Sequence, residues 1–224
     1  TVLAVPGPMP RHLAWLLALL LPACTVGDTS TGDDDDDDEV SGTDGGDDLG
    51  PDAGPAAADC LVAASTGGGT FGDAAASRTN QSGSMGARHI FQFVGDVDAG
   101  PPRDRISIAV KDSLGVFAGD LAGPGTFELG GVEASLDTCG LCVAILGDLD
   151  PSAGPGQVYV AQSGSITIDS ITDTMSGSLT GVTFAQIDLG SGAAVPDGCS
   201  STMAAATFSA PIVILDGGGG GGGG

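Results

Sequence analysis

The sequence predicts an all-β domain, an antiparallel sandwich or barrel, over residues 60–216. Three observations carry that expectation. Apolar and polar side chains alternate at period two; Gly and Pro clusters interrupt the chain at short intervals; no window of ten or more residues bears a helical stripe. Short strands separated by such turns fit a sandwich or barrel, and no fixed repeat period is evident.

Taken in order, His89-Ile90-Phe91-Gln92-Phe93-Val94 is a β-branched and aromatic run of strand length. Ile106, Ile108 and Val110 share one face, with Ser107 and Ala109 on the other. Gln157-Val158-Tyr159-Val160, Ser165-Ile166-Thr167-Ile168-Asp169 and Ala206-Thr207-Phe208 continue the pattern. The segments 95–102, 123–125 and 151–156 read as loops. Leu179 lies on an odd-numbered face, Val182 and Phe184 on the even one, and Ile187 and Leu189 return to odd. A strand changes face only through an inserted residue, so Gly181 is the expected bulge, with a second break near Ala185. Alanine clusters at Ala74–Ala76 and Ala204–Ala206 have the composition for a turn or two of helix.

The balance of 29 acidic against 6 basic side chains, a net charge of −23, repels phosphate backbones and argues against nucleic acid as a partner. It also repels anionic headgroups, so attachment to a membrane requires a hydrophobic anchor. Ahead of the domain, Arg11 and His12 precede the apolar run Leu13–Leu21, too short to span a bilayer but suited to a signal-peptide core. The run ends in Leu21-Pro22-Ala23-Cys24. These residues resemble the lipobox of bacterial lipoproteins, with Pro22 where Ala, Ser or Thr is commoner. The resemblance covers the first two dozen residues only.

It implies that residues 1–23 are a signal peptide removed before Cys24, and that the Cys24 thiol carries a diacylglyceryl group; within that segment Met9-Pro10-Arg11 supplies a short, basic beginning, which makes Met9 a candidate for the true start. Two or more acyl chains hold where one is marginal, at ~0.8 kcal/mol per buried methylene. Thr25, being non-acidic, is compatible in that family with outer-membrane sorting. The other reading is an ordinary secretory signal beside an incidental cysteine.

Residues 24–59 carry 13 acidic side chains and no basic one, including the unbroken run Asp33–Glu39. Such a stretch buries too little to offset its ordering entropy and reads as a disordered tether. As a neutral coil it would span roughly 30–36 Å. Calcium binding by its aspartates would need ligands converging from a shaped loop, which a flexible run lacks. Gly217–Gly224 is an unfoldable tail, a linker or a point of truncation.

Within the domain Cys60, Cys139, Cys142 and Cys199 form an even set, read as two disulfides. Spacing allows three connectivities; Cys139–Cys142 with Cys60–Cys199 is preferred. Cys139-Gly140-Leu141-Cys142 has redox spacing, but Val143-Ala144-Ile145-Leu146 follows as a strand, without the helix that would activate a thiolate. A zinc site is disfavoured because only one close pair exists.

Asp96-Val97-Asp98 and Asp148-Leu149-Asp150 resemble the start of a calcium loop, making Asp96, Asp98, Asp148 and Asp150 the candidate calcium ligands. Tyr159 stands where the Asp148 version needs a distal Glu, and ordinary Asp turn chemistry is the alternative. No catalytic residue is nominated and no cofactor beyond that calcium. After signal removal His89 is the single histidine, read as a half-buried strand residue without a Gly-x-Ser-x-Gly frame. Glu128 and Glu133 are the domain's only glutamates and Lys111 the only lysine.

The expectation is therefore an exported lipoprotein, held by Cys24 in the bacterial envelope, with the outer membrane as its destination. Its domain would be a non-enzymatic binding or structural module whose loops meet a protein or glycan. The alternatives are an envelope hydrolase using loop carboxylates and a calcium-dependent adhesion module.

Overall fold

The computed structural model describes residues 60–83, 86–98, 100–150 and 152–215. The expected signal peptide, Cys24, the tether of residues 24–59 and the glycine tail lie outside them. Ten strands form one mixed sheet: β1 (Ser65–Thr66), β2 (Gly69–Thr70), β3 (Gly72–Gly83), β4 (Gly86–Asp96), β5 (Arg103–Lys111), β6 (Gly125–Glu128), β7 (Leu141–Leu149), β8 (Gln157–Ile171), β9 (Thr174–Ile187) and β10 (Ser200–Leu215). Two single helical turns, Gly115–Phe117 and Gly131–Ala134, lie in the connections, and there is no α-helix among the described residues. Both alanine clusters sit in strands, Ala74–Ala76 in β3 and Ala204–Ala206 in β10, where sheet pairing overrides local helix propensity.

Hydrogen-bonded neighbours run β3-β4-β5-β7-β8-β9-β10, and β10 pairs back to β3. The sheet is thus not the purely antiparallel one expected. Seven strands alternating in direction cannot close a ring without one like-directed pair, and β10–β3 is that pair. The chain entering the domain runs along β10 in three parallel steps. Ser65 and Thr66 pair with Thr202 and Met203, Gly69 and Thr70 with Ala206 and Thr207, and Ala76–Thr79 with Ile212–Leu215. No crossover helix is needed, because the rest of the ring is the connection.

The alternating faces point inward as the sequence requires. Phe91 and Phe93 from β4, Ile106, Ile108 and Val110 from β5, Ile166 and Ile168 from β8, and Leu179, Val182 and Phe184 from β9 fill one core. The face switch after Leu179 is a bulge: Ser163 pairs with Thr183 but Ser165 with Thr180, and Gly181 takes φ +59°. That left-handed conformation favours glycine. The second break does not occur. Val160, Tyr159 and Val158 pair in unbroken register with Ala185, Gln186 and Ile187. Ile187 is buried on the opposite side, in a smaller cluster with Ala144, Leu146, Val158 and Val160, against which Leu136 and Leu189 pack. With both faces of β7 and the start of β8 covered, an apolar residue there does not reveal which face it occupies.

Candidate functional site

β4 ends at Asp96 and β5 begins at Arg103, so the six residues between them form an end loop of the ring. Asp96 lies directly across the ladder from Arg105, a pairing of opposite charges that sheets favour. Arg103 Nη1 reaches Asp73 Oδ2 and Asp96 Oδ2, each at 2.9 Å. Arg105 Nε lies 2.8 Å from Asp96 Oδ1, near enough for attraction but not aligned for a hydrogen bond. This network floors an open cleft of about 320 Å³ lined by Thr70, Gly72, Asp73, Asp98 and the Asp96–Arg103 pair.

Beside it Asp104, 6% exposed, accepts the Asp148 N–H through Oδ1 at 3.1 Å. Burial pushes the Asp104 carboxyl above its usual range, opposed by that hydrogen bond and reinforced by the negative charges of Asp98 and Asp148. The fold therefore takes one aspartate from each sequence-nominated pair, Asp98 and Asp148, and sets both near a third that the pairs do not include. The signal for Asp104 was present, since it continues the face of Ile106, Ile108 and Val110 and is bound to point inward. Asp150 goes elsewhere: its Oδ1 accepts the Ser152 hydroxyl, Ser152 N–H and Ala153 N–H, which hold its carboxyl below the usual range. That is turn chemistry. Among the described residues, no three His, Cys, Asp or Glu side chains are placed to hold a metal ion.

Asp104 yields a prediction. An acid whose folded-state pKa exceeds its unfolded value favours folding in the protonated form, so its contribution is present at low pH and lost as pH rises through the folded value. Asp104→Asn, which keeps an oxygen for Asp148 N–H, is expected to be more stable than the parent at pH 7, with the gain shrinking towards pH 4. Urea unfolding at the two pH values measures it; a variant less stable at pH 7 contradicts the assignment.

At the opposite end of β4, His89 Nδ1 lies 2.8 Å from Asp112 Oδ2, whose side chain is 2% exposed. The same oxygen accepts His89 N–H at 2.9 Å, and Oδ1 accepts Ala122 N–H at 2.8 Å. Two backbone donors thus fix the carboxylate, which holds the ring through Nδ1. The sequence placed His89 on a strand, where it is, half-buried, but did not anticipate Asp112. The ring's contacts among the described residues are Asp112 and Phe91.

Both disulfides take the preferred pairing, Cys60–Cys199 and Cys139–Cys142. Their worth as staples differs greatly. Chain entropy gives roughly 5 kcal/mol for closing the 139-residue separation but only about 2 kcal/mol for a separation of three. The short one is nevertheless surrounded by buried charge. Lys111, 7% exposed, places Nζ 3.7 Å from Cys139 Sγ and 3.4 Å from the Leu136 carbonyl oxygen. Burial depresses the Lys111 pKa, while the negative charges of Glu133 and Asp137 support it. Glu133, 1% exposed, accepts Val116 N–H through Oε1 at 2.7 Å and Leu141 N–H through Oε2. Gly140 lies so close to the Leu114 carbonyl oxygen that a Cβ would stand 1.9 Å from it, so the motif admits only glycine there.

Comparison with protein-family models, with curated proteins and with solved structures gave no match.

Proposed function

We propose that the chain is an exported lipoprotein, anchored to a bacterial envelope membrane by acyl groups on Cys24, and that its β-domain is a binding or structural module rather than an enzyme. The observation that carries this reading is the pairing of all four domain cysteines in disulfides. Disulfides persist in oxidising compartments outside the cytoplasm, the destination that the Leu21-Pro22-Ala23-Cys24 segment would give. The acidic stretch of residues 24–59 then serves as the spacer, its self-repulsion holding the domain away from anionic headgroups.

In this reading the ring is a flattened sandwich. Only four residue pairs join β7 to β8 and four join β10 to β3, against eleven for β8–β9, so two seams would separate a β3-β4-β5-β7 layer from a β8-β9-β10 layer. The cleft at the β4–β5 loop supplies the contact surface for a protein or glycan ligand. Its aspartates favour a partner's basic or hydroxyl groups and disfavour nucleic acid.

An envelope hydrolase is the second reading. It draws on Asp104, a buried carboxyl that burial pushes above its usual range and that lies beside Asp98 and Asp148.

Expression with an intact export pathway tests the anchor. The parent is expected in the membrane fraction, with acyl mass on a protein beginning at Cys24. Cys24→Ser is expected in the soluble fraction without that mass. Equal pelleting of the two would refute the proposal.

A further inference from the structure

We propose that Cys139–Cys142 is a redox-labile disulfide, opened by a dithiol reductant, and that Lys111 holds the released Cys139 sulfur as a thiolate. A thiol is activated by nearby positive charge, and the helix terminus that usually supplies it is absent; β7 begins at Leu141, within the motif. Lys111 supplies the charge instead. It ends β5, which pairs with β7, and its N–H donates to the Gly140 carbonyl oxygen at 2.7 Å, so the backbone itself delivers Nζ to 3.7 Å from Cys139 Sγ. Glu133 and Asp137 support the positive charge of Lys111, which stands beside the sulfur that would leave as a thiolate.

The exchange proceeds in two steps. A thiolate of the reductant attacks Cys142 Sγ, forming a mixed disulfide and expelling Cys139 Sγ as a thiolate against the Lys111 ammonium. The reductant's second thiol then attacks its own mixed sulfur, closing a disulfide within the reductant and releasing Cys142, which takes up a proton. Two electrons pass from the dithiol to the protein. Burial of both cysteines slows the attack and penalises the thiolate formed, the cost that the Lys111 ammonium offsets.

The test equilibrates the full-length protein in dithiothreitol buffers of graded reduced-to-oxidised ratio at pH 7, with acid quenching and mass analysis of each cysteine pair. Cys139–Cys142 is expected to be half reduced at a ratio at least tenfold lower in the parent than in Lys111→Met, a shift of about 30 mV. Lys111→Arg, which keeps the charge, is expected to stay close to the parent. Equal ratios for the parent and Lys111→Met overturn the proposal. Should Lys111→Met fail to fold, Cys142→Ser decides, since it leaves Cys139 as a free thiol beside the native lysine. Its ultraviolet thiolate absorbance is expected to titrate at least one pH unit below the ordinary thiol value of about 8.5; titration at or above that value overturns the proposal.

Discussion

Replacing Cys60 and Cys199 together by serine is expected to cost the domain roughly 5 kcal/mol, the largest loss from any single feature described above. The cross-link joins residues 139 apart, and ordinary domains have only about 5–15 kcal/mol in hand, so the variant is expected to be largely unfolded near 37 °C. The entering segment depends on this clamp. Ser201 Oγ donates to the Ala63 carbonyl oxygen at 2.7 Å, Thr202 N–H to that of Ala64 at 3.0 Å, and Leu61 N–H to Gln157 Oε1 at 3.1 Å. Tyr159 donates its hydroxyl to the same glutamine oxygen, so β8 holds the segment from the other side. Once the sulfurs are parted, β1 and β2, of two residues each, have little else to keep them against β10. Calorimetric melting of both proteins measures the loss, and a melting temperature within a few degrees of the parent's would mean that packing alone closes the ring.

The second large effect is expected at Glu133. Changing it to alanine removes the acceptor for two backbone N–H groups, that of Leu141 buried and that of Val116 partly so, each worth about 1–3 kcal/mol when left unpaired. It also removes one of the two carboxylates that support the buried Lys111 charge. A total loss of about 3–5 kcal/mol is expected from urea denaturation, with Glu133→Gln near half of it because one amide oxygen remains to accept. A loss below about 1 kcal/mol for alanine would show that water replaces the carboxylate and that the turn does not depend on it.

These two predictions rest on residues that the sequence disclosed unequally. The cysteines stood out by number, and the preferred pairing is the one the structure has. Glu133 and Lys111 stood out only as rare residue types, with nothing to show that both are buried. Lys111 lies on the face of β5 opposite Ile106, Ile108 and Val110, so alternation placed it towards solvent. The connection carrying Leu136 and Cys139 covers that face. The same covering misled the reading of β9, where Ile187 is buried on the outer side and suggested a break that the register does not contain. Gly181 was legible because a true bulge shifts parity between residues that all point into one core. At the cleft, Asp-x-Asp spacing marks Asp98 and Asp148, whereas Asp104 is marked only by strand alternation, which carries it inward with Ile106.

The sequence by itself determined the all-β class, the alternating faces of β5 and β8, the bulge at Gly181 and the even set of domain cysteines. These follow from alternation, turn composition and residue counts within a dozen neighbours. Tertiary structure alone decided that β10 runs parallel to β3, that a connection buries Lys111 and Glu133 around Cys139, and that Asp98, Asp104 and Asp148 meet. Each of these joins segments far apart along the chain, and a local pattern states which side of a strand is apolar without stating what comes to cover the other.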